Sequence, residues 1–370
     1  MKILIVIRSL ACGGAEKQAI MDANALNRRG HRLTVAFHQG GELVKLLDPG
    51  ISIYRIHSAN LLWAFAQLGS HFLFHRYDII HAHMCWAERI AAFSGRMFGQ
   101  PIILNEHSPA FFRRWYHRFL LRLVALSADR IITCCEATRN DQLSEGIKPE
   151  KLVTIFNSFD PALTVLVVEN QKEEPEENEI EKDNRNIGNN SFTVGFTGRF
   201  SPVKRLGLYI PLALRLRDVI PGIRFVLVGD GRDRGKIEAA IRAHHLDDLF
   251  VLPGFVLQPW LYLETFDIFF LPSRIEAFSV ALLEAGALAI PSIAFAVGGN
   301  PELIQNGVTG CLLPDHDISA VAETIIDLYR NPDKRARIGT NAQRFVTETF
   351  SIETRIDRLE RLYAQRRSQE

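Results

Sequence analysis

Short, unbroken apolar runs alternate with longer stretches of helical spacing along this chain. Ile3 to Ile7 contains no polar position, as a parallel strand buried on both faces requires. Gly13-Gly14 then turns the chain, and a helix is expected from about Glu16 to Arg29, stopped by Gly30. Further strands are expected at Arg32 to His38, Ile51 to Ile56, Asp78 to His81, Ile102 to Asn105 and Arg130 to Thr133. Strands separated by helices imply right-handed crossovers and an open, doubly wound sheet.

From Glu169 to Asn190 the pattern stops. This stretch is rich in Glu, Asn and Lys and has almost no large apolar residue, so it cannot bury enough surface to order itself. A second alternation follows, with strands expected at Thr193 to Thr197, Arg224 to Val228, Phe250 to Leu252, Ile268 to Leu271 and Ser292 to Ala294. Helices are expected at Leu206 to Val219, Gly235 to His244 and Val280 to Leu288. The fold class is therefore α/β, with two Rossmann-like parallel-sheet domains facing each other across a cleft. The expected divisions are residues 1–165, an acidic flexible linker or insertion at 166–191, a second domain at 192–348, and a C-terminal helix at 349–370 that packs back across the junction.

Composition changes this picture little. At 370 residues, 47% hydrophobic and 23% charged, the chain is ordinary globular material for two domains. A net charge of +1 argues against a dedicated nucleic-acid binder. The charge is uneven: residues 1–160 hold 19 Lys and Arg against 13 Asp and Glu, whereas 161–190 hold 3 against 8. Five cysteines, at 12, 85, 134, 135 and 311, make an odd and sparse set that suits a reducing compartment. His81-Ala82-His83, followed only by Cys85, lacks zinc spacing. Arg8 interrupts the apolar run before Cys12, so a lipoprotein signal is not expected. No apolar stretch is long enough for a membrane span. The expected placement is cytoplasmic, with peripheral contact at the inner face of the cytoplasmic membrane.

The strongest chemical constellation is Ser273-Arg274-Ile275-Glu276-Ala277-Phe278-Ser279, running into a helix that carries Glu284. With Glu276 in the loop and Glu284 inside the helix, both reach opposite ends of a ligand at the helix start. Free N–H groups and the positive dipole end there suit a diphosphate. A capped helix with two solvated acids explains the same residues. Arg199, after Gly198, and Lys204 follow the strand that opens the second half, where two cations would meet a leaving diphosphate; ordinary surface cations are the alternative. Gly13-Gly14 would let backbone approach a ligand closely, or simply make a tight turn. His107, after another strand, would sit at the same cleft edge or serve as a structural hydrogen-bonder. Gly229-Asp230-Gly231-Arg232-Asp233-Arg234-Gly235 nearly spells a dinucleotide fingerprint, but its last glycine comes one residue late. Asp315-His316-Asp317 resembles a metal-binding acid pair, yet reads better as a turn and helix cap.

Taken together, these residues resemble family 4 of the retaining glycosyltransferases, of GT-B fold. The likeness is strongest from Gly198 to Pro314, where Gly198-Arg199, Lys204, Val228-Gly229-Asp230-Gly231, Pro272-Ser273, Glu276 to Glu284, Gly298-Gly299 and Gly310 occur in the family's order. Gly13-Gly14-Ala15-Glu16, Asp78-Ile79-Ile80-His81, Glu106-His107-Ser108 and Asn157-Ser158-Phe159-Asp160 fit a subgroup that builds bacterial cell-surface glycans. The resemblance implies that Arg199 and Lys204 hold the donor diphosphate and Glu284 the ribose hydroxyls. Glu276 would bind the transferred sugar, with Ala277, Phe278 and Ser279 near sugar and phosphate. Gly14 would approach the phosphates, His107 would face the sugar, and Val256 would lie where the base is gripped. The expected catalytic set is Glu276, His107, Lys204 and Arg199.

Four departures from the family pattern concern glycine, one of them Ser158-Phe159 in place of a more usual Gly-Val. Ala277 stands where glycine is usual, Arg205 where glycine is common, and Ala289 replaces a glycine before Pro291. The methyl of Ala277 would narrow the sugar pocket. The implied reaction is a metal-independent hexosyl transfer with retention from a nucleotide-sugar donor, a UDP-sugar being favoured, with no cofactor. Domain closure would exclude water. The expected acceptor is a glycan or a polyprenyl- or other lipid-linked glycan of cell-surface polysaccharide or lipopolysaccharide biosynthesis. Phe111-Phe112-Arg113-Arg114-Trp115-Tyr116-His117-Arg118 mixes aromatics with cations, which suits an anionic membrane or, equally, a helix with one solvated face. Rival readings are a nucleotide-sugar epimerase or a pyridoxal-phosphate phosphorylase of the same fold, or a non-catalytic scaffold partner.

Overall fold

In a computed structural model of the chain, the described residues are 1–11, 13–107, 115–161 and 191–367. The acidic stretch from Glu169 to Asn190 and the segment from Phe111 to Arg114 lie outside them. The chain divides into two compact units, Met1–Asp160 with Phe350–Glu370, and Pro161–Thr349.

The first unit holds seven parallel strands: β1 (Lys2–Ser9), β2 (Arg32–Gln39), β3 (Ser52–Arg55), β4 (Ile79–His83), β5 (Ile102–Glu106), β6 (Arg130–Thr133) and β7 (Leu152–Thr154), in the order β3-β2-β1-β4-β5-β6-β7. Helices α1 (Gly14–Arg28), α2 (Leu61–Phe74), α3 (Met84–Met97), α4 (Trp115–Ser127) and α5 (Glu136–Ser144) alternate with them. Side chains alternate across each strand. Leu4 and Val6 of β1 and Ile80 and Ala82 of β4 therefore join the core beneath α2, α3 and α4, with Leu68, Ile90 and Val124. The intervening residues of β4 face the opposite way. Two of them are His81 and His83, which register with Ile5 and Ile7 of β1.

That second face is covered by α1 and by the last helix of the chain. The backbone returns at Phe350, whose carbonyl accepts from Phe159 N–H at 3.0 Å, while Ile352 N–H donates to Phe159 O at 3.0 Å. Helix α11 (Ile352–Arg367) then packs on α1. Arg355 is its anchor. The guanidinium, 2% exposed, donates from Nε and Nη2 to the two oxygens of buried Asp22 at 2.6 and 2.7 Å. It also donates to the carbonyls of Ile155 and Phe156 at 3.1 and 2.8 Å and to Asn105 Oδ1 at 3.0 Å. One turn pair further on, the Tyr363 hydroxyl lies 2.8 Å from His81 Nδ1. A buried ion pair survives desolvation only with such complete hydrogen bonding.

The second unit holds six parallel strands: β8 (Phe192–Thr197), β9 (Ile223–Val228), β10 (Phe250–Gly254), β11 (Ile268–Leu271), β12 (Ser292–Phe295) and β13 (Gly310–Leu313), in the order β10-β9-β8-β11-β12-β13. The principal helices are α6 (Tyr209–Leu216), α7 (Arg234–Ala243), α8 (Val280–Ala287), α9 (Ile318–Arg330) and α10 (Pro332–Thr349). Fully buried Phe196, Phe225, Phe269, Phe270 and Tyr209 fill the core, and the Tyr209 hydroxyl is 3.1 and 2.8 Å from the carbonyls of Gly195 and Phe270. Gly195 cannot carry a side chain, because its Cβ would lie 2.1 Å from the ring of Phe266.

Strand order in both sheets reverses beside the first strand, between β1 and β4 and between β8 and β11. Crossovers leave in opposite directions there, so the loops at the strand C-terminal ends part and leave a crevice for ligands. The edge strands β7 and β13 are absent from the sequence expectation; the first has only three residues, and the second opens on glycine and holds no β-branched side chain.

Replacing Arg355 by Met should strand the Asp22 carboxylate in the interior. The first unit should lose about 3–5 kcal/mol of stability, read as a shift of the earlier transition in urea unfolding. An unchanged transition would show that α11 contributes nothing through this pair.

Candidate functional site

The rim of the second sheet is built by loops hydrogen-bonded to one another. Gly198 N–H donates to Val228 O at 2.9 Å, Phe200 N–H to Asp230 O at 2.8 Å, and Gly229 N–H to Gly254 O at 2.7 Å. The loops after β8, β9 and β10 thus move as one edge. Glycine is needed where they touch: a Cβ on Gly229 would lie 2.0 Å from Gly198 O, and one on Gly231 2.3 Å from Phe200 O. The fingerprint-like Gly229-Asp230-Gly231 is therefore explained by loop packing.

Arg199 and Lys204 both lie on the loop that follows β8, Arg199 exposed and Lys204 half-buried. Across the switch point, the segment after β11 meets this loop, with Arg274 N–H donating to Val203 O at 2.8 Å. Here the ammonium of Lys204 forms an ion pair with Glu276 Oε1. Their side chains are 20% and 10% exposed, so the pair is shielded enough to fix both rotamers. Gly298, with φ +53°, lets the Glu276 carbonyl pass where a Cβ would sit at 1.7 Å, and Gly299 N–H donates to Ala277 O at 2.9 Å. The loop carrying Glu276 is thereby clamped from behind.

Ala277 is half-buried and Phe278 buried. Ser279 caps α8, its Oγ accepting from Leu282 N–H at 3.4 Å. Glu284, half-buried, is the fifth residue of α8 and so lies one turn inside the helix. Val256, half-buried, follows β10 by two residues on the same rim. Lys204 and Glu276 are thus in direct contact, while Arg199, Val256 and Glu284 occupy neighbouring rim positions of the second unit. Sequence reasoning assigned Ser273 no role of its own; it is buried just after β11, its Oγ lacking a hydrogen-bond partner among the described residues.

Two of the departures from glycine acquire a physical meaning. Arg205 and Ala289 both adopt left-handed backbone, at φ +49° and +59°, where a side chain costs roughly 1–2 kcal/mol. Ala289 offers nothing evident in return. Arg205 does: Nε donates to Pro272 O at 2.9 Å, Nη2 pairs with Asp315, Nη1 lies 2.7 Å from His316 Nε2, and the guanidinium covers the ring of Phe295 at 5.1 Å. It ties the Lys204 loop to the ends of β11 and β13. Asp317 caps α9 through Ala320 N–H at 2.9 Å. Both acids of Asp315-His316-Asp317 are therefore engaged.

In the first unit, Gly14 opens α1 directly after β1, with Gly13 at φ 152°. His107 follows β5, and its Nε2 lies 3.1 Å from His83 Nδ1 at the end of β4, the two rings stacked. Gly14, His83 and His107 all stand at strand C-terminal ends of the same sheet. Desolvation, then the Arg355 charge, pulls His107 down to about 3, so the ring is neutral at ordinary pH. Sequence reasoning weighed His83 only as a zinc ligand and set it aside; its signal was His-x-His on a strand, which places both rings on one face. Asp22, His81 and His83 bring ligand atoms within 4.8 Å of one another. Both oxygens of Asp22 already accept from Arg355, which balances the charge that would otherwise draw a cation.

Residues 12–163 match the family described as Glycosyltransferase Family 4, and residues 177–345 match Glycosyl transferases group 1. The chain thus carries a Glycosyltransferase Family 4 domain followed by a Glycosyl transferases group 1 domain. Among its relatives, the N-acetyl-alpha-D-glucosaminyl L-malate synthase of Bacillus anthracis is 27% identical over 293 residues, covering 77% of this chain and 74% of the relative. The 2-deoxystreptamine N-acetyl-D-glucosaminyltransferase of Niallia circulans is 31% identical over 141 residues. That match takes in 38% of this chain and only 36% of the relative, about a third of its length. Anabaena HepE in complex with UDP-glucose superposes with a TM-score of 0.82 at 24% identity, covering 99% of this chain and 100% of that one. WaaG, a glycosyltransferase involved in lipopolysaccharide biosynthesis, superposes with a TM-score of 0.73 at 15% identity over 96% of this chain and 98% of that one. The GT-B fold is thereby shown.

Ala289→Gly should relieve backbone strain and stabilise the second unit by about 1 kcal/mol. Arg205→Gly relieves similar strain but removes the tie, so it should gain no stability and should weaken nucleoside-diphosphate binding. Thermal unfolding with and without UDP checks both. Equal gains in the two variants, with UDP binding intact, would show that Arg205 holds nothing.

Proposed function

We propose that this protein is a retaining, metal-independent glycosyltransferase that moves a sugar from a nucleoside-diphosphate sugar, a UDP-sugar being favoured, onto a glycan or lipid-linked glycan. The observation that carries the reading is the Lys204–Glu276 pair at the switch point of the second sheet, beside the N-terminus of α8. Relatives lend it support. One is the UDP-Gal:alpha-D-GlcNAc-diphosphoundecaprenol alpha-1,3-galactosyltransferase of Escherichia coli, 25% identical over 307 residues. HepE has been solved with UDP and with UDP-glucose.

In this reading Lys204 and Arg199 neutralise the departing diphosphate, helped by the positive end of α8 and the backbone of Ala277, Phe278 and Ser279. Glu276 accepts from sugar hydroxyls, Glu284 from ribose hydroxyls, and Val256 lies by the base. Gly14 and His107 serve from the first unit. The anomeric carbon loses its bond to the diphosphate oxygen and gains one to the acceptor oxygen on the same face; the acceptor proton passes to a phosphate oxygen. No protein nucleophile is required, and the charge is met by side-chain cations. The engagement of Asp315 and Asp317 elsewhere fits metal independence.

A membrane-linked acceptor is supported by the first unit's surface. Helix α2 has no Asp, Glu, Lys or Arg, and it exposes Leu62, Trp63, Leu73 and Phe74 to 78, 71, 65 and 83%. Adjacent α3 exposes Phe93, Arg96 and Met97, and α4 beside it exposes Arg122 and Leu126. Among the described side chains, none of the three helices exposes an acid. Apolar side chains interspersed with arginine suit the headgroup boundary of an anionic bilayer. No helix among the described residues is long and apolar enough to cross a membrane.

With EDTA present, Glu284→Ala should raise the donor KM about tenfold and Lys204→Ala should lower kcat about 100-fold or more. The product should keep the donor's anomeric configuration by NMR. Wild-type rates in both variants, or an inverted product, would refute the assignment. In flotation, the protein should rise with phosphatidylglycerol vesicles and not with phosphatidylcholine, and Trp63→Ser with Phe74→Ser should abolish it. Absence from both vesicle types would remove the membrane part alone.

A further inference from the structure

His83 is a fully buried titratable side chain to which the transfer reaction assigns no task. Its Nδ1 lies 3.1 Å from His107 Nε2, the ring centroids are 5.3 Å apart and the planes differ by 17°. Its other nitrogen, Nε2, is buried without a hydrogen-bond partner among the described residues. One proton occupies the 3.1 Å contact, and it belongs either to His83 Nδ1 or to His107 Nε2.

The two arrangements differ in what they leave behind. If His107 donated, neutral His83 would carry its proton on Nε2, an N–H sealed in the interior with no acceptor. If His83 donates, Nε2 holds only a lone pair. Orphaned buried donors are the rarer and costlier defect. The surroundings give the same answer. Desolvation first, then His81, His107 and Arg355, disfavour a charged His83, so a doubly protonated ring does not resolve the choice. Asp22, whose carboxylate lies within 4.8 Å of both strand histidines, is committed to Arg355 on both oxygens and to Gln18 Nε2 at 2.9 Å. His81, whose ring centroid is 4.3 Å from that of His83, meets the Tyr363 hydroxyl through Nδ1, and α11 supplies both Arg355 and Tyr363.

We propose that His83 is a positioning residue that fixes the tautomer of His107: it donates Nδ1–H to His107 Nε2, so His107 bears its proton on Nδ1. His107 then presents an N–H donor to the site and has no lone pair free to act as a base. The ring holds a sugar oxygen; it does not deprotonate the acceptor. The part played toward the sugar rests on the function proposed above, whereas the tautomer does not.

Long-range proton–nitrogen correlation spectra of the full-length protein with labelled histidine, assigned with His107→Asn and His83→Asn, read the tautomers directly. The expected pattern is protonated Nδ1 and bare Nε2 on both rings. A protonated Nε2 on His107 overturns the proposal. His83→Asn keeps an N–H where Nδ1–H stood, so it should preserve the His107 pattern and leave donor KM near wild type. His83→Leu should let His107 populate both tautomers and raise donor KM about tenfold. If the leucine variant keeps the single tautomer, or if both variants share wild-type KM, His83 positions nothing. Should His83→Leu not fold, the wild-type and asparagine spectra still decide the tautomer. Wild-type kinetics in His107→Asn would instead refute the assigned role of His107 while leaving the tautomer result standing.

Discussion

A parallel sheet delivers the C-terminal end of every strand to one edge, and both sheets of this protein are parallel throughout. Every candidate group follows from that constraint. Gly14, His83 and His107 come from strands β1, β4 and β5, while Arg199, Lys204, Val256 and Glu276 come from β8, β10 and β11. The reversal of strand order opens a crevice at that edge. Chemistry placed elsewhere would need long excursions that the chain does not make among its described residues.

The rims then have to be rigid, and the two units achieve this differently. In the second, glycines let loops touch: Gly229 rests on Gly198 and Gly298 on Glu276. Lys204 and Glu276 hold each other, and Arg205 ties their loop down at the expense of a left-handed backbone. In the first, rigidity comes from a buried polar network reaching from Asp22 through Arg355 to Asn105 and from Tyr363 to His81. Such networks are costly unless complete. The C-terminal helix supplies Arg355 and Tyr363 to this one, which gives it a direct hold on the histidine face of the sheet.

Much of the fold was legible in the sequence because doubly buried strands such as Ile3 to Ile7 are continuous apolar runs that loops do not imitate. The edge strands β7 and β13 were not legible, the first having only three residues and the second opening on glycine with no β-branched side chain. The motif residues could be named from their order, yet their contacts could not. Nothing local announces that Lys204 meets Glu276, 72 positions away, or that Arg205 spends its guanidinium on Asp315. Equally, His-x-His on β4 looked like a failed zinc motif. Only Arg355, 333 positions beyond Asp22, reveals it as part of a charge-balanced interior. Long-range pairs of this kind are properties of topology rather than of spacing.

Calorimetric titration of the full-length protein with UDP, UMP and uridine, in EDTA, tests the central claim most directly: that side-chain cations at the second sheet's switch point hold the diphosphate without a metal. The account predicts that UDP binds much more tightly than uridine, and that Lys204→Met closes most of that gap while leaving uridine binding unchanged. Loss of UDP binding on chelation, or an undiminished preference for UDP in Lys204→Met, would contradict it.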